Sequence, residues 1–194
     1  ITIADEVMTG FGRTGTNFAT NQLTQQPDII CLSKGLTGGY MPLGVTSCAE
    51  NVYKAYLTTD KTKTFFHGHS YTANPLACSA ALASLDLLEK SECSQQLKMI
   101  EHMHSEFCLQ LNQNSKIRTI RYKGTILALE LNTKEDTHYL NSIAEHISTW
   151  FLNKGIIVRP LGNILYLIPP YCISKDELNY IYKQLKLFIN ELPN

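Results

Sequence analysis

The stretch PDIICLSKGLTGG, residues 27–39, limits the fold more than any other part of the chain. Asp28 to Leu32 is a short, partly β-branched apolar run behind a proline, which reads as a buried strand. Ser33, Lys34 and Gly35 stand where that strand must end. Gly35, Gly38 and Gly39 make the next residues permissive for a tight turn or for close approach of a bound group. A lysine at the carboxyl end of a buried parallel strand sits where open α/β sheets collect ligands. Taken alone, Lys34 has two readings: a solvated lysine in a glycine-rich loop, or an amine that attacks a carbonyl from a desolvated pocket.

The opening of the chain bears on that choice. Ile1 to Ala4 is another apolar run that reads as a buried strand, and Asp5 and Glu6 end it, so a carboxylate closes a strand 29 residues before Lys34. A lysine and a carboxylate at strand ends form the pair that pyridoxal chemistry needs. The amine tethers the cofactor, and a buried carboxylate keeps the ring nitrogen protonated so that the ring withdraws electrons.

Thr9 to Gly15, TGFGRTG, holds three glycines in seven residues and reads as a loop leaving the first strand. Arg13 within it suits an anion site or plain solvent exposure equally, and it receives no catalytic role. Residues 44–48 read as a third strand, 51–56 as a short helix and 58–64 as a surface loop. In residues 65–74, FFHGHSYTAN, the aromatic pair is expected to bring the chain inward ahead of His67, Gly68, His69 and Ser70. A hydroxyl and backbone N–H groups beside a glycine, just before a helix, suit a phosphate. The His-x-His spacing has no third ligand at a characteristic distance, so no metal is expected. Pro75 then opens a long helical pattern.

Residues 91–113 continue as a helix with Leu97, Ile100, Met103, Phe107 and Leu111 on its core face. The pattern changes near Asn112. Residues 117–121 and 125–131 read as paired strands, 139–154 as a helix stopped by Gly155, and 156–158 and 164–168 as two further strands around a turn at Pro160 to Asn163. Ser174 with Glu177 makes a capping box before an amphipathic helix through Leu178, Ile181, Leu185 and Phe188. This organisation predicts an α/β portion over residues 1–112 and a small α+β domain over 113–194. Arg159, at the end of a strand-like run, offers a planar fork for a carboxylate or for a structural salt bridge.

Composition narrows the function classes. Seventeen basic and seventeen acidic side chains leave no net charge, so nothing in the composition points to a polyanion-binding surface or an electrostatic membrane anchor, and nucleic acid is not an expected partner. No apolar run approaches the length of a membrane span. The six cysteines are scattered without a CxxC pair, as expected of buried free thiols in a reducing, cytoplasmic compartment and not of a zinc site.

The motifs ADEVMTGFGRTG, PDIICLSKGLTGG and HGHSYTANPLAC, in that order and spacing, resemble the class III (subgroup II) pyridoxal-phosphate aminotransferases over nearly the whole chain. With VRPLGNILYLIPPY they are most similar to the biotin-pathway branch of that class. The resemblance implies a fold-type I PLP-dependent transferase, represented here by a carboxyl-terminal portion: part of the large, mostly parallel-sheet domain followed by the small domain. It implies PLP held on Lys34, Asp5 at the ring nitrogen, and Ser70 and the backbone at His69 on the phosphate of a partner subunit's cofactor, hence a homodimer with shared sites. It further implies Gly68 and Arg159 at the acceptor, an oxo acid, 8-amino-7-oxononanoate in that branch. The donor there is usually S-adenosylmethionine and in some members lysine. Another class III transaminase, acting on ornithine, 4-aminobutyrate or a β-amino acid, and a non-catalytic domain that keeps the fold are the competing readings.

Overall fold

The computed structural model describes residues 1–193. The chain divides into two compact units, Ile1–Ser94 and Gln95–Asn194.

The first unit is built on a three-stranded sheet, β1 (Ile3–Asp5), β2 (Ile29–Leu32) and β3 (Val45–Cys48), with β2 in the centre. β1 and β2 are parallel, pairing Asp5 with Cys31, and β3 returns antiparallel. A parallel pair needs a long crossover, usually a helix. Here residues 6–28 cross in turns and one short 3-10 segment, Ala19–Gln22. A 3-10 turn, Lys34–Thr37, follows β2, and two helices, α1 (Glu50–Lys54) and α2 (Pro75–Leu88), complete the unit. Asn74 caps α2, its Oδ1 accepting the N–H groups of Leu76 and Ala77 ahead of Pro75 at the first turn.

The strands form where expected, but they are not buried. Ile3 is 66% exposed, β2 is half-buried along its length, and β3 is exposed. A parallel strand is buried only when layers cover both faces of its sheet. Cover inside this unit comes from one small cluster, Phe11, Leu36 and Ala81, with Leu32, Leu85 and Leu88 against it. Phe65 and Phe66, expected to turn inward, are 67% and 88% exposed, and the whole of residues 65–73 lies at the surface of the unit.

The second unit closes its own core. α3 (Ser91–Leu111) contributes most of its length to it, followed by β4 (Ile117–Lys123), β5 (Ile126–Leu131), α4 (Ile143–Leu152), β6 (Ile164–Leu167) and α5 (Lys175–Glu191). The strands make an antiparallel sheet in sequence order, with β5 central. β5 alternates strictly, so Leu127, Leu129 and Leu131 share one fully buried face, joined by Leu165 and Leu167 of β6. Ile100 and Phe107 of α3, Ile147 and Phe151 of α4, and Leu178, Leu185 and Phe188 of α5 cover that face. The capping box forms as read: Ser174 Oγ accepts the Glu177 N–H, and Glu177 accepts the Ser174 N–H.

The compact boundary falls at Ser94, earlier than the change of pattern near Asn112, because α3 buries Ile100, Phe107 and Leu111 in the second core. The helix expected from residue 139 starts at Ile143, where the Asn141 carboxamide accepts the Ile143 N–H. Residues 156–158 form no strand. Their side chains alternate as a strand's would, with Ile156 buried, Ile157 exposed and Val158 half-buried, but the segment pairs with no strand among the described residues. The cysteines are free but none is buried; Cys48 and Cys172 are exposed and the other four half-buried.

Candidate active site

Asp5 is the last residue of β1, and Lys34 follows the last residue of β2 by two positions. Because the two strands are parallel neighbours in register at Asp5 and Cys31, both side chains start from the same carboxyl edge of the sheet. That edge is where ligands gather in open α/β sheets. Asp5 is exposed, with Oδ1 accepting the Val7 N–H at 3.0 Å. The side chain of Lys34 is exposed too.

The buried carboxylate is its neighbour. Successive residues of a strand face opposite sides, so Asp5 and Glu6 part company. Glu6 is 1% exposed and accepts from the Thr9 hydroxyl, the Thr20 N–H at 2.7 Å and the Ala19 N–H at 3.1 Å. Burial works against its ionisation, but these donors outweigh it and hold its pKa below the ordinary carboxylate value. Glu6 therefore ties both ends of the glycine-rich loop to the end of β1. The sequence reading passed over it, although two carboxylates in succession at a strand end signal that one of them faces inward.

The backbone after β2 is strained where it carries the lysine. Lys34 has φ +39°, a region that a side chain other than glycine's seldom occupies. The Leu36 N–H closes onto the Ser33 carbonyl at 3.0 Å, and the Ser33 hydroxyl donates to the Leu43 carbonyl at 2.7 Å. The Thr37 hydroxyl donates to Met41 O at 2.6 Å, and Ser84 of α2 donates to the Gly35 carbonyl at 3.2 Å. Gly38, at φ +61°, supplies the left-handed turn that ends the segment.

Gly68, His69 and Ser70 lie on the exposed stretch ahead of α2 in the same unit. Hydrogen bonding there is local: Thr72 Oγ1 accepts the His69 N–H at 3.0 Å, and His69 Nδ1 accepts the Tyr71 N–H at 3.1 Å.

Arg159 belongs to the second unit. It is exposed on a groove of about 850 Å³, which it shares with Tyr166, Ile157 and Tyr180, with Asp176 and Glu177 on the lining from the start of α5. Glu177 is committed to the helix cap, where the N–H and hydroxyl of Ser174 keep its carboxyl below the usual range. Gly162, two residues before β6, is required on two grounds. Its φ is +60°, and a Cβ there would stand 1.9 Å from the His138 carbonyl oxygen.

The second unit also buries a polar pair that sequence patterning missed. His104 of α3 is fully buried, with Nδ1 2.6 Å from the Tyr182 hydroxyl and Nε2 3.2 Å from the Thr125 carbonyl. A carbonyl only accepts, so Nε2 carries the proton and Nδ1 accepts from Tyr182. Burial lowers the His104 pKa from 6.5 to about 4 despite the Thr125 carbonyl, and burial pushes the Tyr182 phenol up. Among the described residues, no group of three or more His, Cys, Asp or Glu is placed to hold a metal ion, and no helix is long and apolar enough to cross a membrane.

Comparison with known proteins bears on the family and the fold. The family model for class-III aminotransferases matches residues 1–189. An adenosylmethionine-8-amino-7-oxononanoate aminotransferase from Synechococcus elongatus is 46% identical over 190 residues, covering 98% of this chain and 44% of the relative. The crystal structure of the protein of that name from Methanocaldococcus jannaschii superposes with a TM-score of 0.88 at 36% identity, covering 99% of this chain and 46% of the other. An amine transaminase from an uncultivated Pseudomonas species, solved in its PLP-bound form, also reaches 0.88, at 30% identity, covering 98% of this chain and 44% of the other. The chain thus spans less than half the length of these relatives. Its α/β fold is that of the fold-type I transaminases, and the chain belongs to the class-III aminotransferase family.

Proposed function

We propose that this chain is the part of a pyridoxal-phosphate transaminase that carries the lysine, the ring-facing carboxylate and the small domain. The complete enzyme moves an amino group to 8-amino-7-oxononanoate, giving 7,8-diaminononanoate in biotin synthesis. The observation that carries this reading is the placement of Asp5 and Lys34 at the carboxyl ends of neighbouring parallel strands, in a chain 46% identical to an aminotransferase of that name. A carboxylate and a primary amine on one sheet edge, beside a glycine-bearing turn, are the donor set that pyridoxal phosphate requires. Bound there, the cofactor supplies an electron sink.

The residues of this chain take the following parts. Lys34 Nζ holds the cofactor and, once released, takes and returns the proton at the substrate carbon. The Asp5 carboxylate keeps a proton on the ring nitrogen. Ser70 and the backbone at His69 hold phosphate, serving a second copy of the enzyme, in line with the exposure of residues 65–73. Gly68 and Arg159 face the acceptor, and Arg159 gives its carboxylate two parallel charge-assisted bonds. S-adenosylmethionine is the donor, and the enzyme is a cytoplasmic homodimer.

One experiment tests the core of this. The complete gene product is loaded with pyridoxal phosphate, reduced with borohydride and mapped by peptide mass, then assayed with 8-amino-7-oxononanoate and 2-oxoglutarate as rival acceptors at fixed donor. Label on Lys34 and preference for the first acceptor are expected. Label on another lysine defeats the assignment of Lys34, and preference for 2-oxoglutarate replaces the biotin reading with a general class III transaminase.

A further inference from the structure

The loop between β1 and β2 does more than connect. Phe11, in its first part, is 5% exposed and adopts φ +59°, an uncommon conformation for an aromatic residue. Its ring lies against the residue after the lysine. A Cβ built on Gly35 would stand 2.9, 3.0 and 3.2 Å from Phe11 Cδ2, Cβ and Cγ, so only glycine fits there. Gly35 is needed here for space, and the strained residue is Lys34 beside it. From the other side Ser84 of α2 donates to the Gly35 carbonyl, so the residue is held between the loop and the helix.

The loop itself is anchored. The Glu6 carboxylate gathers Thr9, Ala19 and Thr20, and the Glu6 carbonyl accepts the Gly10 N–H at 2.9 Å. Phe18 meets the Phe11 ring edge-on at 5.6 Å between centroids. We propose that Phe11 is a positioning residue for Lys34: its ring, fixed by the loop that Glu6 anchors, braces Gly35 and holds the backbone in the strained turn that aims the lysine amine. This rests on the reading of Lys34 as the cofactor-tethering amine. A ring that only filled space would need neither a left-handed residue of its own nor a glycine cut to fit it beside another left-handed residue.

The test uses the apo form of the complete gene product with added pyridoxal phosphate, comparing wild type with Phe11→Ala and with Gly35→Ala. Two quantities are read: the rate at which the visible band of lysine-bound cofactor grows, and the pH midpoint of that band. Borohydride labelling identifies the lysine in each protein. In Phe11→Ala the amine is released from its aimed position, so capture slows by roughly tenfold or more and the midpoint moves by about one pH unit, with the label still on Lys34. Phe11→Leu, which refills most of the volume, restores most of both. Gly35→Ala pushes against the ring and alters the same two readouts, which keeps the test decisive if Phe11→Ala fails to fold. Wild-type capture and midpoint in the folded variants, with Lys34 labelled, overturn the role of Phe11 while leaving Lys34 in place. Label elsewhere in the wild type overturns the reading of Lys34 and this proposal with it.

Discussion

The two compact units have similar lengths and opposite habits of burial. The second unit encloses the inner faces of β5 and β6 completely, with Leu127, Leu129, Leu131 and Leu165 all at zero exposure under three helices. The first unit buries only three apolar residues in its cluster and leaves its strands half-covered, with Phe65, Phe66 and Tyr71 at the surface. Yet the first unit carries Asp5, Lys34 and Ser70, and in it two non-glycine residues, Phe11 at φ +59° and Lys34 itself at φ +39°, adopt left-handed conformations. One unit spends its sequence on hydrophobic closure. In the other, one buried carboxylate accepts the hydrogen bonds that hold the loop after β1, and these fix loop positions more sharply than apolar contact does because they are directional.

This contrast can be broken most strongly at Phe188, which packs on Phe151 and Trp150 in the closed core. Phe188→Ala is expected to destabilise the second unit by about 3–5 kcal/mol, read by denaturant unfolding and by hydrogen exchange of the β5 amides. A loss under about 1 kcal/mol would mean that the core is not cooperative.

The next effect is a pH dependence. His104 titrates near 6.5 when unfolded and near 4 in the fold, so the unfolded chain binds the extra proton between those values. The stability tied to neutral His104 is complete above pH 6.5 and is lost as pH falls towards 4, by roughly 3 kcal/mol. Unfolding midpoints measured across that range should therefore fall with acid. In His104→Gln that part of the slope should disappear, leaving the carboxylates' share.

A smaller effect sharpens the first unit's side of the comparison. Glu6→Gln removes the charge from three hydrogen bonds and should cost about 1.5–3 kcal/mol locally. The amide of Thr20 should then exchange faster while β5 amides keep their protection. In the unaltered protein, that protection is present above the ordinary glutamate pKa and is lost as acid protonates Glu6, because its folded-state value is lowered. Equal loss of protection in both units would remove the distinction drawn here. The smallest expected change is Ser174→Ala, about 1 kcal/mol through the lost cap of α5, detectable as a shift in the second unit's melting temperature alone.

Much of this was legible in residue order. The strand ends at Asp5 and before Lys34, the helix start at Pro75, the strand pair around Gly124 and the Ser174–Glu177 box are local signals, each carried by a few consecutive residues whose backbone preference or hydrogen bonding is self-contained. The misreadings share a different cause. Residues 156–158 are apolar enough for a strand but pair with none, Phe65 and Phe66 are apolar yet uncovered, and the cysteines sit among apolar neighbours without being enclosed.

The sequence by itself determined most of the helices and strands, that Lys34 follows a strand and that a carboxylate closes another. Periodicity, capping and turn chemistry act over a handful of residues, so no distant partner is needed to read them. Only the tertiary structure decided that those two strands lie parallel and adjacent, and that Glu6 rather than Asp5 turns inward. It also decided that Phe11 meets Gly35 and that His104 finds Tyr182 across 78 positions. Those outcomes depend on which surfaces exclude water from one another, and exclusion is a property of pairs of elements far apart in the chain.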